Sequence, residues 1–299
     1  MTEAYSSPEV KNTVPLAFLL DVDGVITNPT EKKVTEEALF GFLETNLIIG
    51  NPVALNTGRS NEWMIERVIN PLNEHLKDKT VLKNFFAVGE KGLTWVSFNP
   101  EGELIQGVFD REGGLQEGFD LSVFLEPETI EHFLKLNSEA KKLIENKYSH
   151  STFFDETKKA MVSTEMKDGY DQPNYAKEQV GFTQELNELL KREGLSGKFK
   201  VDPTTIATDI QIPEAGKHLG ARRILDWLKS KNVNPKHFIA VGDSSSDLEM
   251  ADELNTHGKS VDFYCVNPKK PLETSKPYPI RTTNNEYGNG TVEVFRSIT

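Results

Sequence analysis

The stretch PLAFLLDVDGVI, residues 15–26, decides the fold. Its apolar run is unbroken as far as Leu20 and stops abruptly at two carboxylates, Asp21 and Asp23. An apolar run without alternation is typical of a strand that is buried on both faces, as in a parallel sheet. We therefore predict a central buried strand that ends at this acidic pair.

Strand and helix patterns alternate in the segments that follow. NPVALNTG (residues 51–58) and NFFAVGE (residues 84–90) are short apolar runs, and each comes after a segment with apolar residues at helical spacing. The alternation resumes late in the chain, where a helix predicted over residues 217–230 precedes the strand HFIAVGD (residues 237–243). This order predicts an α/β fold with a Rossmann-like parallel sheet and right-handed crossovers.

Local signals predict where three of the helices begin or end. Thr35 can cap the first helix, because its hydroxyl can accept a hydrogen bond from the first turn. Pro71 is expected to kink the second helix or end it early, since proline lacks an N–H group and clashes with the preceding turn. Ser246 and Glu249 have the spacing of a capping box at the start of a later helix.

The pattern changes around Gly92, where an α+β insertion is predicted to begin. LTWVSF (residues 93–98) and ELIQGVF (residues 103–109) predict a hairpin, and further helices and strands follow. The predicted division is a polar tail over residues 1–14, a first part of the core over 15–94, an inserted α+β domain over 95–210 and a second part of the core over 211–299.

Composition and charge exclude several classes of protein. The chain has 299 residues, with 34 Lys and Arg against 46 Asp and Glu, so its formal net charge is −12. This balance argues against a nucleic-acid partner, because a phosphate backbone attracts clustered cations. The single cysteine, Cys265, excludes an intrachain disulfide and a cysteine-built zinc site, and the six histidines lack metal-binding spacing. The polar N-terminus and the lack of an apolar run of about 20 residues predict a cytoplasmic protein without a membrane partner.

Polar groups follow the ends of three predicted core strands: Asp21 with Asp23, then Thr57, then Asp243. Ligands of an open parallel sheet bind beyond the carboxyl ends of its strands, so these groups are expected to meet in one crevice. Carboxylates in close contact repel each other unless a cation lies between them or one is protonated. Carboxylate oxygens are hard ligands that suit Mg²⁺, which makes this ion the predicted cofactor.

Most of these residues also have a purely structural explanation. The acidic pair could cap turns, and Thr57 or Ser60 could be an ordinary helix N-cap rather than part of an anion site at the start of the helix. Lys217 leads a helix, where the macrodipole disfavours a cation, so it is either a solvated surface lysine or the partner of a bound anion. Asp247 could be an acid in the first turn of its helix, whereas Asp243 requires a cation, a donor or water.

The order and spacing of these motifs are more specific than any one of them. DVDGV (residues 21–25), NTGR (residues 56–59), the helix-leading Lys217 and GDSSSDLEM (residues 242–250) resemble the motifs of the haloacid dehalogenase superfamily of aspartate-nucleophile phosphatases. The insertion resembles the C2-type cap of that superfamily. The resemblance points to the branch that contains Cof-type sugar phosphatases, sucrose phosphatase, trehalose-phosphate phosphatase and mannosyl-phosphoglycerate phosphatase.

This resemblance implies roles for the four acidic residues. Asp21 would be the nucleophile, and Asp23 would be the general acid and base. Mg²⁺ would be bound by Asp21, Asp243 and the backbone carbonyl of Asp23. Asp247 would support the ion from nearby.

The resemblance also implies that Thr57, the backbone of Gly58 and Lys217 hold the transferring phosphoryl group. The chain departs from the family pattern at two places. Many relatives have Asn where this chain has Ser246, whose shorter side chain would reach less far toward a phosphate. Relatives often have an Asn-Gly-Ala turn after the third strand, where this chain has GEKG (residues 89–92), a change at the cap hinge or the substrate edge.

The predicted function is hydrolysis of a small phosphorylated substrate, a sugar phosphate or a related metabolite, by a Mg²⁺-dependent phosphomonoesterase. A metal-dependent glycosyltransferase could use Asp21 and Asp23 on a nucleotide sugar, but it would leave Thr57, Lys217 and Asp243 without a role. A phospho-ligand-binding protein without catalysis is the other alternative.

The insertion is expected to select the substrate, because the core would contact only the phosphoryl group. Two pairs of its residues, Lys158 with Lys159 and Phe153 with Phe154, could face the cleft. A solvated face and a local apolar core explain the same pairs, so no residue of the insertion is assigned to the site.

Overall fold

Two β-sheets organise residues 12–272 and 275–298, the part of the chain that the computed structural model describes. The larger sheet has nine strands. In spatial order they are β13 (Ile280–Thr282), β12 (Val261–Cys265), β11 (Val233–Gly242), β1 (Asn12–Leu20), β2 (Val53–Asn56), β3 (Phe85–Gly89), β4 (Thr94–Phe98), β5 (Leu104–Phe109) and β6 (Leu115–Glu117). The strands from β13 to β3 are parallel, and the last three are antiparallel. The predicted α/β fold with a parallel core sheet is confirmed.

The central strand β1 supplies both faces of the sheet with core residues. Phe18 and Leu20 pack into one apolar core, and the alternating residues Ala17 and Leu19 pack into the other. Successive side chains of a strand point to opposite faces, so a strand buried on both faces must be apolar at every position. This requirement explains the unbroken apolar run that precedes Asp21.

Helices cover both faces of this sheet. They are α1 (Glu37–Ile48), α2 (Asn61–Met64), α3 (Asn70–His75), α6 (Lys217–Ser230), α7 (Leu248–Thr256) and α8 (Tyr287–Ile298). The prediction that Thr35 caps α1 is wrong, because the N-cap position is Glu36 and no side chain caps it. The predicted disturbance at Pro71 takes the form of a π-helical turn over Ile65–Ile69, and the helix then continues to His75. The wider turn accommodates the proline ring and its missing N–H group.

The second sheet is antiparallel and contains four strands, β7 (Thr152–Phe154), β8 (Val162–Met166), β10 (Ala207–Gln211) and β9 (Lys200–Pro203), in that spatial order. Two long helices, α4 (Pro127–Leu143) and α5 (Gln172–Arg192), pack on it through a separate apolar core. We call residues 121–211, which contain this sheet and its helices, the cap.

The hairpin of β4 and β5 belongs to the large sheet and not to the inserted domain in which it is predicted to lie. Val88 of β3 pairs with Trp95 of β4, and the Trp95 ring is buried in the core of the large sheet. A tight turn after β3 reverses the chain, which lets β4 pair with the strand it has just left. The separate sheet of the cap therefore begins later than the predicted boundary at residue 95.

No helix among the described residues combines the length and the apolar character needed to span a bilayer.

Two glycines in helices test how closely α6 packs against the sheet. A Cβ atom on Gly220 would lie 2.0 Å from Oδ1 of Asn56, whereas a Cβ atom on Gly41 of α1 would have no neighbour within 4 Å. We expect Gly220→Ala to lower the free energy of unfolding by about 1–3 kcal/mol, because α6 must shift. Gly41→Ala should raise it by about 0.5–1 kcal/mol, because alanine favours helix. Urea denaturation measures both, and changes of the same sign in the two variants would contradict the close packing.

Candidate active site

The ends of β1 and β11 bring two acidic residues together. The N–H group of Asp21 donates to the carbonyl of Val241, so Asp21 continues the pairing between the two strands and is buried. Gly24 follows with a φ of +72°, and a Cβ atom there would lie only 2.5 Å from Oδ2 of Asp243. A glycine is therefore required for the loop after β1 to turn and to lie against Asp243.

Asp247 shapes the loop that carries Asp243. One oxygen of Asp247, Oδ2, accepts hydrogen bonds from the backbone N–H groups of Asp243 and Ser244, each 3.1 Å long, and from the Ser244 hydroxyl. The predicted capping box of Ser246 with Glu249 is wrong, because a short 3₁₀ turn precedes α7 and the box is formed by Ser244 with Asp247. The Ser246 hydroxyl bonds that of Ser244 instead.

Three carboxylates converge at this edge of the sheet. Oxygen atoms of Asp21, Asp243 and Asp247 lie within 4.8 Å of one another. Burial, followed by the charge of Asp247, raises the pKa of Asp21 well above its usual value and that of Asp243 to about 6. The side chain of Asp23 is not part of this cluster. Such crowding of negative charge in a buried place is relieved by a cation.

The side chain of Lys217 supplies one positive charge to the cluster. Its Nζ contacts Oδ1 of Asp21, lies 2.8 Å from Oδ1 of Asp247 and donates to the carbonyl of Asn56. Burial lowers its pKa, but the two carboxylates outweigh burial and hold the pKa of Lys217 above its usual value. The side chain is only 14% exposed. The interpretation of Lys217 as a solvated surface lysine is therefore wrong.

The loop after β2 carries the predicted phosphate-binding residues. The N–H group of Arg59 donates to the Thr57 hydroxyl, and Ser60 is the residue that caps α2, with its hydroxyl accepting from the N–H group of Trp63. Of the two predicted N-cap candidates, Ser60 therefore caps the helix and Thr57 does not. Thr57 is buried at the end of β2, beside the strand that ends at Asp21.

Arg59 links the core to the cap, a role that the sequence analysis did not identify. Its guanidinium donates to both carboxylate oxygens of Asp23, at 2.9–3.1 Å, and to Glu165 of the cap at 2.9 Å. It also lies over the Trp63 ring. Burial lowers the pKa of Arg59, but Asp23 and Glu165 raise it above its usual value. The planar guanidinium therefore fixes the Asp23 side chain between core and cap.

Glu90, in the turn after β3, makes a second link between core and cap. Its buried carboxylate accepts hydrogen bonds from the N–H groups of Lys159 and Ala160, at 2.9 and 2.8 Å. Glu90 and Lys91 both have left-handed backbone angles, with φ of +47° and +57°. This strained turn aims two consecutive side chains at the cap.

The two residue pairs of the insertion lie in different environments. Lys158 is 7% exposed, and its Nζ donates to the carbonyl oxygen of Gly58 in the core. Lys159 is exposed, Phe153 is 37% exposed and Phe154 packs against the apolar core of the cap. Of the two lysines, Lys158 therefore lies in the cleft and Lys159 does not.

A cavity of about 160 Å³ adjoins Asp23 between the core and the cap. It is lined by Asp23, Gly58, Arg59, Lys91, Lys158, Ser163, Glu165, Thr204, Ile206, Ala207 and Asp209. Lys91 forms ion pairs there with Asp202 and Asp209, at 2.7 and 2.8 Å. A larger cleft, of about 600 Å³, lies elsewhere between the cap and α6 and contains none of the seven residues predicted for the site. The smaller cavity is therefore the candidate substrate pocket.

Solved structures of similar fold include the crystal structure of a trehalose-6-phosphate phosphatase related protein. The two chains superpose with a TM-score of 0.54 at 13% identity, over 94% of this chain and 96% of the other. The chain shares the fold of this structure, in agreement with the resemblance of its motifs to the haloacid dehalogenase (HAD) superfamily. No protein-family profile matches the sequence, and no curated protein matches it.

Two further HAD-fold structures extend the comparison. An N-terminally truncated IMP-nucleotidase from Plasmodium falciparum has a TM-score of 0.58 at 12% identity and covers 95% of this chain and 70% of its own. A trehalose-6-phosphate phosphatase from Aspergillus fumigatus has a TM-score of 0.53 at 12% identity, over 95% and 92%. At identities this low the superpositions show a shared fold alone, and the function must be argued from the site itself.

The raised pKa of Glu90 predicts that the free energy of unfolding depends on pH. Burial raises its pKa to about 7, from an ordinary value of 4.5, against the charge of Lys158 and the two N–H groups that lower it. As pH rises from 4.5 to 7, the unfolded chain loses this proton first, so the wild-type protein should lose up to about 3 kcal/mol of unfolding free energy relative to Glu90→Gln. Urea denaturation of both proteins across this range measures the difference, and parallel pH curves would contradict it.

Proposed function

We propose that the protein is a Mg²⁺-dependent phosphomonoesterase that acts through a phosphoryl intermediate on Asp21. The observation that carries this proposal is the position of the Asp21 carboxylate. It lies against the ammonium of Lys217, in a cluster with Asp243 and Asp247, and two residues before Asp23 at the candidate pocket. The neighbours of similar fold are named as a trehalose-6-phosphate phosphatase, a protein related to one and an IMP-nucleotidase, which agrees with this chemistry.

The carboxylate cluster fits a divalent ion of the hard type. Asp21 and Asp243 would bind Mg²⁺ through carboxylate oxygens, together with the backbone carbonyl of Asp23, and Asp247 would support the ion. Gly24 leaves no side chain between the loop and Asp243, so the loop can stay close to this carboxylate. When bound, the ion offsets negative charge on the carboxylates and on the phosphoryl oxygens.

Hydrolysis would proceed by two displacements at phosphorus, in which different residues of the chain have different roles. A carboxylate oxygen of Asp21 attacks phosphorus, while Lys217 and the Thr57 hydroxyl orient the phosphoryl oxygens together with the N–H group of Gly58. The bond from phosphorus to the leaving alcohol breaks, and Asp23 donates a proton to the alcohol oxygen. In the second step Asp23 accepts a proton from water, whose oxygen attacks phosphorus and releases Asp21 and inorganic phosphate.

Arg59 explains how Asp23 is held in place for both steps. Its guanidinium donates to both oxygens of Asp23 and is itself fixed by Glu165 of the cap. The proton donor to the leaving group is therefore positioned through a residue that depends on cap contact. This arrangement would limit hydrolysis to the closed cleft, from which bulk water is excluded.

The pocket supports a small, hydroxyl-rich leaving group. Its volume of about 160 Å³ corresponds to about five water molecules, and none of its lining residues is aromatic. Its three cations, Arg59, Lys91 and Lys158, are balanced by three carboxylates, Asp23, Glu165 and Asp209. Such alternating donors and acceptors suit neutral hydroxyl groups, and a purine base would find no ring to stack on. We propose a sugar phosphate or polyol phosphate of about one ring as the substrate.

Replacement of the nucleophile tests the proposed reaction. Asp21→Asn should reduce phosphate release by about 10⁴-fold or more, because an amide cannot form the phosphoryl intermediate. The matched control is Asp78→Asn, at an exposed residue that caps the turn after α3 and where asparagine caps equally well. Phosphate release by the two purified variants is compared at equal concentration, with circular dichroism to verify folding. Activity of Asp21→Asn close to that of Asp78→Asn would end the nucleophile assignment.

A panel of substrates tests the proposed leaving group. With Mg²⁺, sugar monophosphates should be hydrolysed with kcat/KM at least about tenfold above that for IMP, because the pocket offers hydroxyl partners and no stacking surface. EDTA should abolish the activity, and added Mg²⁺ should restore it. Cleavage of UDP-sugars in preference to sugar phosphates would favour a glycosyltransferase. Binding of sugar phosphates without turnover would favour the non-catalytic alternative.

A further inference from the structure

Lys158 of the cap is a buried cation whose ammonium contacts no carboxylate of the described residues directly, although its charge interacts with that of the nearby Glu90 carboxylate. Among residues 12–272 and 275–298, no carboxylate oxygen lies within 4.0 Å of its Nζ, which donates to the carbonyl of Gly58. The other two cations of the pocket differ in this respect. Arg59 is paired with Asp23 and Glu165, and Lys91 is paired with two carboxylates of the cap.

Burial without a counter-ion in direct contact is costly for an ammonium group. One carbonyl oxygen satisfies one of its three donors and does not neutralise its charge. Lys158 is 7% exposed, so water offers its ammonium little compensation. A position of this kind is stabilised when an anion enters the pocket beside it.

The place where Lys158 enters the core is the loop proposed to bind the phosphoryl group. Its acceptor, Gly58, follows Thr57, and both belong to the NTGR segment at the end of β2. The proposed phosphoryl contacts from the core are the Thr57 hydroxyl, the N–H group of Gly58 and Lys217. Lys158 would add a contact from the opposite wall of the cleft.

Core residues hold the cap loop on both sides of Lys158. The hydroxyl of Thr157 shares a hydrogen bond of 2.6 Å with the hydroxyl of Ser60. On the other side, Glu90 accepts hydrogen bonds from the N–H groups of Lys159 and Ala160. The loop is thus fixed at three residues around Lys158, so the Lys158 side chain can extend in only a narrow range of directions.

We propose that Lys158 binds the phosphoryl group of the substrate from the cap side and that Glu90 is the residue that positions it. This inference rests on the proposed function of the same site. Cap closure would then complete the anion site as well as cover it, because the fourth phosphoryl contact arrives only with the cap. Phosphorylated polyols would be favoured over unphosphorylated ones by a charge that the core alone does not provide.

Inorganic phosphate is the probe that tests the proposal without depending on the identity of the leaving group. In the presence of Mg²⁺, Lys158→Met should weaken phosphate binding by at least about tenfold, measured by calorimetry and by competitive inhibition of p-nitrophenyl phosphate hydrolysis. Lys159→Met is the matched control, because the same substitution at an exposed neighbour leaves the backbone donor to Glu90 intact. Lys158→Arg, which keeps the charge, should recover part of the affinity.

The positioning role of Glu90 requires a double-variant cycle. Glu90→Gln should also weaken phosphate binding. Adding it to Lys158→Met should cause no further loss, because both substitutions remove the same contact between Lys158 and phosphate. Independent, additive losses would overturn the positioning role, since they would mean that Glu90 acts without Lys158. Thermal unfolding of every variant separates loss of binding from loss of folded protein.

The outcomes also separate this inference from the proposed function. If the wild-type protein neither binds phosphate nor hydrolyses any phosphomonoester, the proposed function fails and this inference fails with it. If the wild type is active and Lys158→Met binds phosphate as well as Lys159→Met does, the inference alone is overturned. Lys158 would then be a contact that only joins the cap to the core.

Discussion

The ion pairing of one ammonium group with two buried carboxylates is the constraint on which the site depends. Asp21 and Asp247 would repel each other and Asp243 at the end of the sheet if Lys217 did not lie between them. Lys217 in turn is held by the Asn56 carbonyl, so the start of α6 is locked to the end of β2. Lys217 supplies one positive charge against three carboxylates, so the site keeps an excess of negative charge. A bound metal ion can offset this excess.

Contacts between the cap and the core follow one scheme. Loops at the ends of β2 and β3 extend charged side chains toward the cap, and each finds a buried partner there: Arg59 with Glu165, Glu90 with backbone N–H groups, and Lys91 with two carboxylates. Lys158 extends in the opposite direction, from cap to core. Polar contacts of this kind depend on geometry more than apolar contacts do. They therefore favour one orientation of the cap on the core over slightly different orientations.

The sequence predicted the parts of the molecule that depend on local periodicity. The parallel sheet and the extent of the helix over residues 217–230 follow from apolar spacing, and the structure places the acidic strand ends together. Local periodicity does not predict contacts between residues that are far apart in the sequence. The hairpin of β4 and β5 has a local signature that does not say which sheet it joins, and nothing near Arg59 or Lys158 in the chain marks these residues as buried. The capping box was misplaced because Ser244 and Ser246 both offer a hydroxyl, and only the 3₁₀ turn distinguishes them.

The lengths of the outermost strands of the large sheet have a consequence for how the protein behaves at high concentration. β13 and β6 form its two edges, and each is three residues long. A free strand edge is a template on which another chain can add, and the hazard grows with the number of unpaired backbone groups in a row. A nine-stranded sheet that tapers at both margins offers an incoming strand too few such groups for stable growth, and so resists edge-to-edge aggregation.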